Sequence, residues 1–507
     1  MRSCGRVGID PRTPVIVGAG QVVGRDLDEE HAEPAAMIAR ALREAAHDSG
    51  AGEQLLRRAD SVRCVPVVGW HYRDAAALVA EELAANPRET VQSGQFGGDG
   101  PQVLINDTAA RISAGELDVV LIGGGEAVTF VRDARREGRR PQWRSQEEDV
   151  PPARTIGEDH PPVTDAEGAA GLAPPVYMYA LIESAARALT GDSPEVHLRR
   201  IAGLWSRFSA VAAENPNAWL PHAYTAEEIA TPTSTNRLVA TPYTKLLTAN
   251  IQVNLASGLI LTSAAAAERA GVPKDRWVFV HAGAQVHERW HVGERHTLAA
   301  SPAIRAGGRG VLEWAGVGID EVAHLDVYSC FPSAVEVAAR ELGLDIDDPG
   351  RSPTVTGGLT FAGGPGNNYV SHSVATLVGR LRDDPEAYGL ATAVGWYLTK
   401  NAAGVYSARP PRRPYRTLTP ELRLPPPRIV VEDHTGPATV EAYTVQYDRD
   451  GAAEAAIVSA ITPEGARAMV RSTDPEVVEM MLAEPDAGTP VELSDGALLA
   501  ASVGSLE

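Results

Sequence analysis

Apolar residues fall along the chain in two recurrent arrangements. Short unbroken apolar runs closed by glycine occur at Pro14-Val-Ile-Val-Gly18, at Asp118–Ile122 before Gly123-Gly124-Gly125, and at Leu390–Val394 before Gly395. Runs of this kind predict strands buried on both faces, as in parallel α/β sheets. Ser61–Val68 and Trp277–His281 read as further strands. Longer segments with apolar residues on one face, Ala35–Ala46, Val103–Ile112 and Tyr369–Leu381, predict helices. Val253–Gly271 reads as a buried strand running into an alanine-rich helix.

One compound unit occurs twice. Phe96-Gly97-Gly98-Asp99-Gly100 is a glycine loop, and Pro101 follows at the first helical position expected for proline. The helix ends at Gly115, and the Asp118–Ile122 strand follows. The same loop–helix–strand–glycine order returns with Phe361-Ala-Gly-Gly-Pro-Gly366, Tyr369–Leu381, Leu390–Val394 and Gly395. This repetition predicts an internal duplication, with two α/β halves packed as αβαβα layers. The polar, proline-rich stretch 130–248 between them reads as an inserted loop or lid. Arg409-Pro-Pro-Arg-Arg-Pro-Tyr-Arg416 is a linker. Short strands are then expected at Arg428–Glu432, Ala438–Gln446 and Ala455–Ala460, with a turn at Asp448-Arg-Asp-Gly451. The expected organisation is a first half at 11–129, a loop domain at 130–248, the return of the first half with the second half at 249–407, and a small β-rich domain at 417–507.

The 507 residues carry a formal net charge of -20. A nucleic-acid partner requires a basic surface, and the tail adds Asp474, Glu476, Glu479, Glu484 and Asp486 instead. Val119–Ile122 is far too short to span a bilayer, and Met1–Arg12 lacks the apolar core of a signal peptide. Cys4, Cys64 and Cys330 show neither disulfide nor metal-ligand spacing, so no metal is expected. A soluble, cytoplasmic protein follows, with no membrane or nucleic-acid partner.

Cys330 is the first candidate for chemistry. In Leu325-Asp-Val-Tyr-Ser-Cys-Phe-Pro332 it stands between a strand and a helix that ends at Gly343. Amide groups and the dipole at a helix start favour a thiolate, whereas a buried cysteine is only a small hydrophobe. The two glycine loops present N–H groups at helix starts, where they can stabilise an oxyanion or serve only as tight turns. Asp99 is either a carboxylate at the centre or a helix cap. His372, after Asn367 and Asn368, is an acid–base candidate or a packing residue. Arg132, Arg135, Arg136, Arg139, Arg140 and Arg144 form a basic run suited to phosphates or to solvent.

Taken in order, these segments resemble the thiolase superfamily from about Pro14 to Ser407. The anchors are the Gly97–Gly100 loop with Asp118–Gly125, Ala256-Ser-Gly-Leu259, Tyr328-Ser-Cys-Phe331 and Gly357-Gly-Leu-Thr-Phe-Ala-Gly-Gly-Pro-Gly366. The added carboxy-terminal domain, similar to a small OB-like barrel, makes the chain resemble thiolase-like proteins of type 1, often labelled acetyl-CoA acetyltransferases. The resemblance implies an acyltransferase of lipid metabolism acting on a coenzyme A or carrier-protein thioester, with no other bound cofactor. The chain departs from the family's catalytic pattern. Gly97 stands at the nucleophilic cysteine, Gly364 at the Gly-His-Pro histidine, Tyr328 at the Asn or His of a third loop, and Ala393 at the usual second cysteine. Cys330 matches the acid–base cysteine of the sterol-carrier type.

A glycine accepts no acyl group, so ping-pong chemistry through Gly97 is excluded. Two readings remain. In one, an acyl-thioester enzyme uses Cys330 as acid–base or relocated nucleophile, Tyr328 polarises a carbonyl, and Gly97, Gly98 and Gly364 supply backbone donors. Pro365, Asn367, Asn368 and His372 belong to that loop region, and Arg135, Arg136 and Ser257 are the candidate coenzyme A contacts. In the other, a non-catalytic binder or partner subunit keeps the pocket without the chemistry. A monomer or a homodimer fits either.

Overall fold

The computed structural model describes residues 9–151 and 153–500. Cys4 and the start of the Met1–Arg12 segment lie outside the described residues. The apolar runs form the expected strands, including Pro14–Val23, Val119–Ala127 and Tyr388–Gly395, the last two buried along their whole length.

The duplication is visible in the ladder order. In the first half, Pro14–Val23 pairs antiparallel with Asn254–Ser263, which pairs antiparallel with Val119–Ala127, which pairs parallel with Ser61–Cys64. In the second half, Val278–His287 pairs antiparallel with Lys400–Ser407, which pairs antiparallel with Tyr388–Gly395, which pairs parallel with Val322–Asp326. A short ladder at Val15 and Phe279 joins the halves. The helices that follow the glycine loops, Gly100–Ala114 and Tyr369–Asp383, touch each other and strands of both halves, forming the central layer. Pro34–Asp48 and Ala75–Glu82 cover the first half; Pro302–Ala315 and Pro332–Leu342 cover the second. The outer contact is close: a Cβ at Gly20 would lie 2.1 Å from the Ala41 carbonyl oxygen, so the helix rests directly on the strand.

The 130–248 stretch differs from its expected loop character. It contains the helices Pro175–Thr190 and Pro194–Glu214, with Met178, Leu181, Ile182, Ile201, Trp205 and Phe208 buried. The prolines misdirect the sequence reading, because Pro175 and Pro194 stand in the first turns and start these helices. The stretch also supplies the strand Arg154–Ile156, which pairs with Glu89–Ser93 and covers that edge of the core sheet.

The carboxy-terminal region forms a second sheet around Gly436–Tyr447, Ala453–Ile461 and Arg467–Ser472, with the helix Pro475–Leu482 against it. It is continuous with the insert: Ala240 of Leu238–Ala240 pairs with Gln446, and the Pro175–Thr190 helix packs on Gly436–Tyr447. No helix among the described residues is long and apolar enough to cross a membrane.

Candidate active site

Both glycine loops and the Tyr328–Phe331 turn open on one cavity of about 1110 Å³. Gly97, Gly98, Gly364, Gly366, Asn367, Tyr328 and Cys330 all line it. Asn367 ties the loops together. Its side-chain oxygen accepts the Gly97 N–H at 2.9 Å, and its amide donates to the Pro66 and Gln95 carbonyls at 2.9 and 3.0 Å.

The first loop is filled from beneath. Gly97 has φ +137°, and a Cβ there would lie 2.3 Å from Asp99 Oδ1 and 2.9 Å from Lys400 Cε. Lys400 is buried; its ammonium donates to the Phe96 carbonyl at 2.5 Å and to Asp159 at 3.1 Å, and lies 3.6 Å from Asp99. Asp99 stands at the start of the Gly100–Ala114 helix but makes no side-chain capping bond. Burial pushes its carboxyl up to about 6, with Lys400 pulling the other way. Lys400 escaped the sequence reading; its one signal is a cation at the start of a strand buried throughout.

Tyr328 holds the adjacent position. A Cβ at Gly98 would fall 2.0 Å from its hydroxyl oxygen, so the phenol occupies the space a side chain would need. That hydroxyl makes no hydrogen bond among the described residues, and burial keeps it a neutral donor. The other expected donors are mostly spent. The Gly97 N–H serves Asn367, and the Gly364 N–H serves the Asn250 carbonyl at 2.9 Å. Only the Gly98 N–H remains without a bond within the chain among the described residues.

Cys330 is 8% exposed, with the Tyr179 hydroxyl and the amides of residues 330 and 331 favouring its charged form. Burial outweighs these contacts and raises its thiol to about 12. The thiolate expected at a helix start is therefore replaced by a neutral S–H, because desolvation exceeds the dipole's contribution. The Tyr179 hydroxyl is itself fixed, donating to the Trp396 carbonyl at 2.7 Å and accepting the Leu398 N–H at 3.2 Å.

Several sequence candidates stand away from the cavity. Ser257 is fully buried between Ser371 and Asn368, and Asn368 donates onward to the Gly124 carbonyl at 2.7 Å. His372 packs against Gln21, with burial pulling its ring down to about 3, so it takes the packing role. Pro365 accepts the Asn368 N–H within the second loop and does not line the cavity. Arg135 and Arg136 lie at the end of the Val128–Arg136 helix, outside the lining; Arg136 pairs with Asp133. The lining cations are Arg237 and Lys245 from the insert and Arg449 from the carboxy-terminal turn, and among the described residues no Asp or Glu joins them. Sequence distance hides this grouping, which exists only because the insert and the terminal sheet share a ladder. Val68, Phe96 and Ile251 add apolar surface at the same cavity while remaining 51%, 47% and 57% exposed.

Residues 418–496 match the model of the thiolase-like protein type 1 additional C-terminal domain. No curated protein matches the chain. Among solved structures, the fold is similar to the dimeric peroxisomal thiolase of Saccharomyces cerevisiae, 16% identical over 79% of this chain and 98% of that one, with a TM-score of 0.54. It is also similar to the Ltp2-ChsH2(DUF35) aldolase, 17% identical over 79% and 99%, with a TM-score of 0.58. A monomeric SCP2-thiolase-like protein type 1 from Mycobacterium smegmatis is 30% identical over 97% of this chain and 100% of that one, with a TM-score of 0.81. With that identity along nearly all of both chains, the protein belongs to the SCP2-thiolase-like proteins of type 1.

Proposed function

We propose that the cavity takes an acyl thioester whose carrier bears phosphate, coenzyme A or a carrier-protein arm, and that the chain acts at the carbon next to the thioester carbonyl without forming an acyl-enzyme. The observation that carries this reading is the lining: Arg237, Lys245 and Arg449 with no acid among them, together with Tyr328 and Cys330 beside the glycine loop. Cations of this kind suit phosphate, and the apolar wall suits the acyl and pantetheine portions. The Tyr328 hydroxyl and the Gly98 N–H are the unspent donors for an enolate oxygen. A neutral thiol is a poor resting nucleophile; for exchange it first gives its proton to solvent, the thiolate takes the α-proton as the enolate forms, and the thiol returns a solvent-exchanged proton to that carbon. A monomer fits the covered Glu89–Ser93 edge, and a cytoplasmic setting fits the free Cys64 and Cys330.

Hydrogen–deuterium exchange at the α-carbon of an acyl-CoA tests the chemistry. Exchange is expected with the wild type, is lost in Cys330→Ala and falls in Tyr328→Phe, while calorimetric acyl-CoA binding persists in both variants. Intact-mass measurement should show no acyl adduct; an adduct on Cys330 would make it a nucleophile. Binding without exchange or turnover over a range of acyl groups favours the non-catalytic binder, a reading that the spent Gly97 and Gly364 amides support. Failure to bind any acyl-CoA removes both.

A further inference from the structure

We infer that Glu183, His197 and Glu336 form a binding site for one divalent first-row transition cation that pins three helices behind the Cys330 turn. The residues come from separate helices, Pro175–Thr190, Pro194–Glu214 and Pro332–Leu342, and only folding brings them together. One ligand atom from each lies within 4.8 Å of the others. His197 Nε2 is 2.6 Å from Glu183 Oε1 and 4.0 Å from Glu336 Oε2. Metal–ligand bonds of about 2.0–2.2 Å fit this spacing after side-chain shifts of less than about 1 Å.

The second observation is an unfinished charge balance. Glu336 is 4% exposed, and its Oε2 has no hydrogen-bond partner. Its other oxygen pairs with Arg200. Glu183 is fully buried, and its Oε2 accepts from the Tyr243 hydroxyl at 2.5 Å. Arg200 thus offsets one of two buried carboxylates, while nearby Arg187 bonds the Asp192 carbonyl and the Tyr443 hydroxyl. A second buried carboxylate needs a cation, either a metal ion or a protonated His197 ring, or a shared proton. The His197 ring can carry its proton on Nδ1, which has no other partner, and present Nε2. One imidazole and two carboxylates, with no thiolate, suit zinc or manganese. An entry path exists, since Glu183 and His197 also line a separate cavity of about 370 Å³ bounded by Tyr443 and Met481.

The site acts on structure. Glu336 lies one turn beyond Pro332, and Glu183 lies one turn beyond Tyr179, which lines the active cavity with Cys330. The inference is independent of the proposed acyl chemistry.

The test is metal uptake by the full chain after treatment with a chelator, titrating Zn²⁺ and, separately, Mn²⁺ against a chromophoric competitor, with melting followed alongside. One equivalent of either cation and a higher melting temperature are expected. Glu336→Gln, which keeps an oxygen for Arg200, should lower affinity at least about 100-fold, and His197→Ala should do the same. Glu195→Gln, an exposed change on the neighbouring cavity rim, should leave uptake unchanged. Absence of stoichiometric uptake of both cations overturns the inference, as does uptake that survives both ligand substitutions. If uptake is absent and Glu336→Gln melts at or above the wild type, the two carboxyls share a proton instead.

Discussion

The two glycine loops occupy equivalent places, each ahead of a central helix, yet they differ in what they tolerate. At Gly97 the backbone is left-handed, and any Cβ would strike Asp99 and Lys400. At Gly364 the nearest atoms to a Cβ would be the Asn250 carbonyl oxygen and Leu359, at 3.5 Å, ordinary contact distance. Each loop rests on a buried carboxylate, held differently. Asp99 faces the Lys400 ammonium, whereas Glu126 accepts the Val68 and Gly69 N–H groups at 2.5 and 2.9 Å beneath Gly366. The absence of a side chain at residue 97 is therefore built into the packing, while residue 364 leaves usable space. A side chain introduced at the two positions meets opposite resistance in the two halves.

Removing the ion pair gives the largest effect. Lys400→Met leaves Asp99 and Asp159 facing each other with no counter-charge, and urea unfolding at pH 8 should show a loss of about 3–5 kcal/mol. The loss should shrink below pH 6, where Asp99 takes up a proton. A loss that does not vary with pH would show that the ammonium is held by the Phe96 carbonyl and not by charge. Next comes Gly97→Ala, expected to cost about 3 kcal/mol from backbone strain and the clash with Asp99. Gly97→Cys should cost as much and, treated with acetyl-CoA, gain no acyl mass. Neutral cost at residue 97 would mean that Asp99 and Lys400 swing away, and the contrast between the loops would fail.

The second carboxylate gives a smaller, pH-dependent effect. Burial pushes Glu126 up to about 7, against an ordinary 4.5. Between those values the folded protein keeps a proton that the unfolded chain has released, so stability falls as pH rises through the window. The full cost, on the order of 3 kcal/mol, is reached above pH 7, with about 1 kcal/mol of it between pH 6 and 7. Asp99 shifts in the same direction, is half titrated near pH 6 and nearly finished by pH 7, so the two share the slope between pH 6 and 7 and the slope above pH 7 belongs to Glu126. Melting curves of Glu126→Gln should be flatter from pH 6 to 8 than those of the wild type. An unchanged slope would assign the proton elsewhere.

The loops, the duplication and the Cys330 turn were legible because each is a local pattern: an apolar run, a glycine cluster, a proline at a helix start. The proline-rich character of the insert suggests a loop, whereas two of its prolines, Pro175 and Pro194, start helices. The site was legible only as far as the backbone order carries it. Tyr328 and Cys330 fall beside the glycine loops because strand ends converge there, and their neighbours follow the sequence. Lys400, Arg237, Lys245 and Arg449 reach the same region by tertiary packing between distant segments, which no spacing rule encodes. Protonation was the least legible property. Cys330 looks activated by position, but its state depends on how much water the fold removes.

Gly364→Ala isolates the permissive half of the comparison and carries the smallest expected effect. Gly364 is not in the left-handed region, and its missing side chain faces ordinary contacts beside the cavity. Its N–H, bonded to the Asn250 carbonyl at 2.9 Å, survives the substitution. Alanine also lowers the entropy of the unfolded chain, which favours folding by about 0.4–1 kcal/mol where the native backbone suits it. The net change should lie within about 1 kcal/mol, measured by urea unfolding beside Gly97→Ala. A loss equal to that at Gly97 would show that both loops need glycine for the backbone alone, and Asp99 and Lys400 would no longer explain the difference. If Gly364→Ala is neutral, Gly364→His should fold as well. It should still form no acyl-enzyme, because the thiol that the imidazole would activate has no room at residue 97.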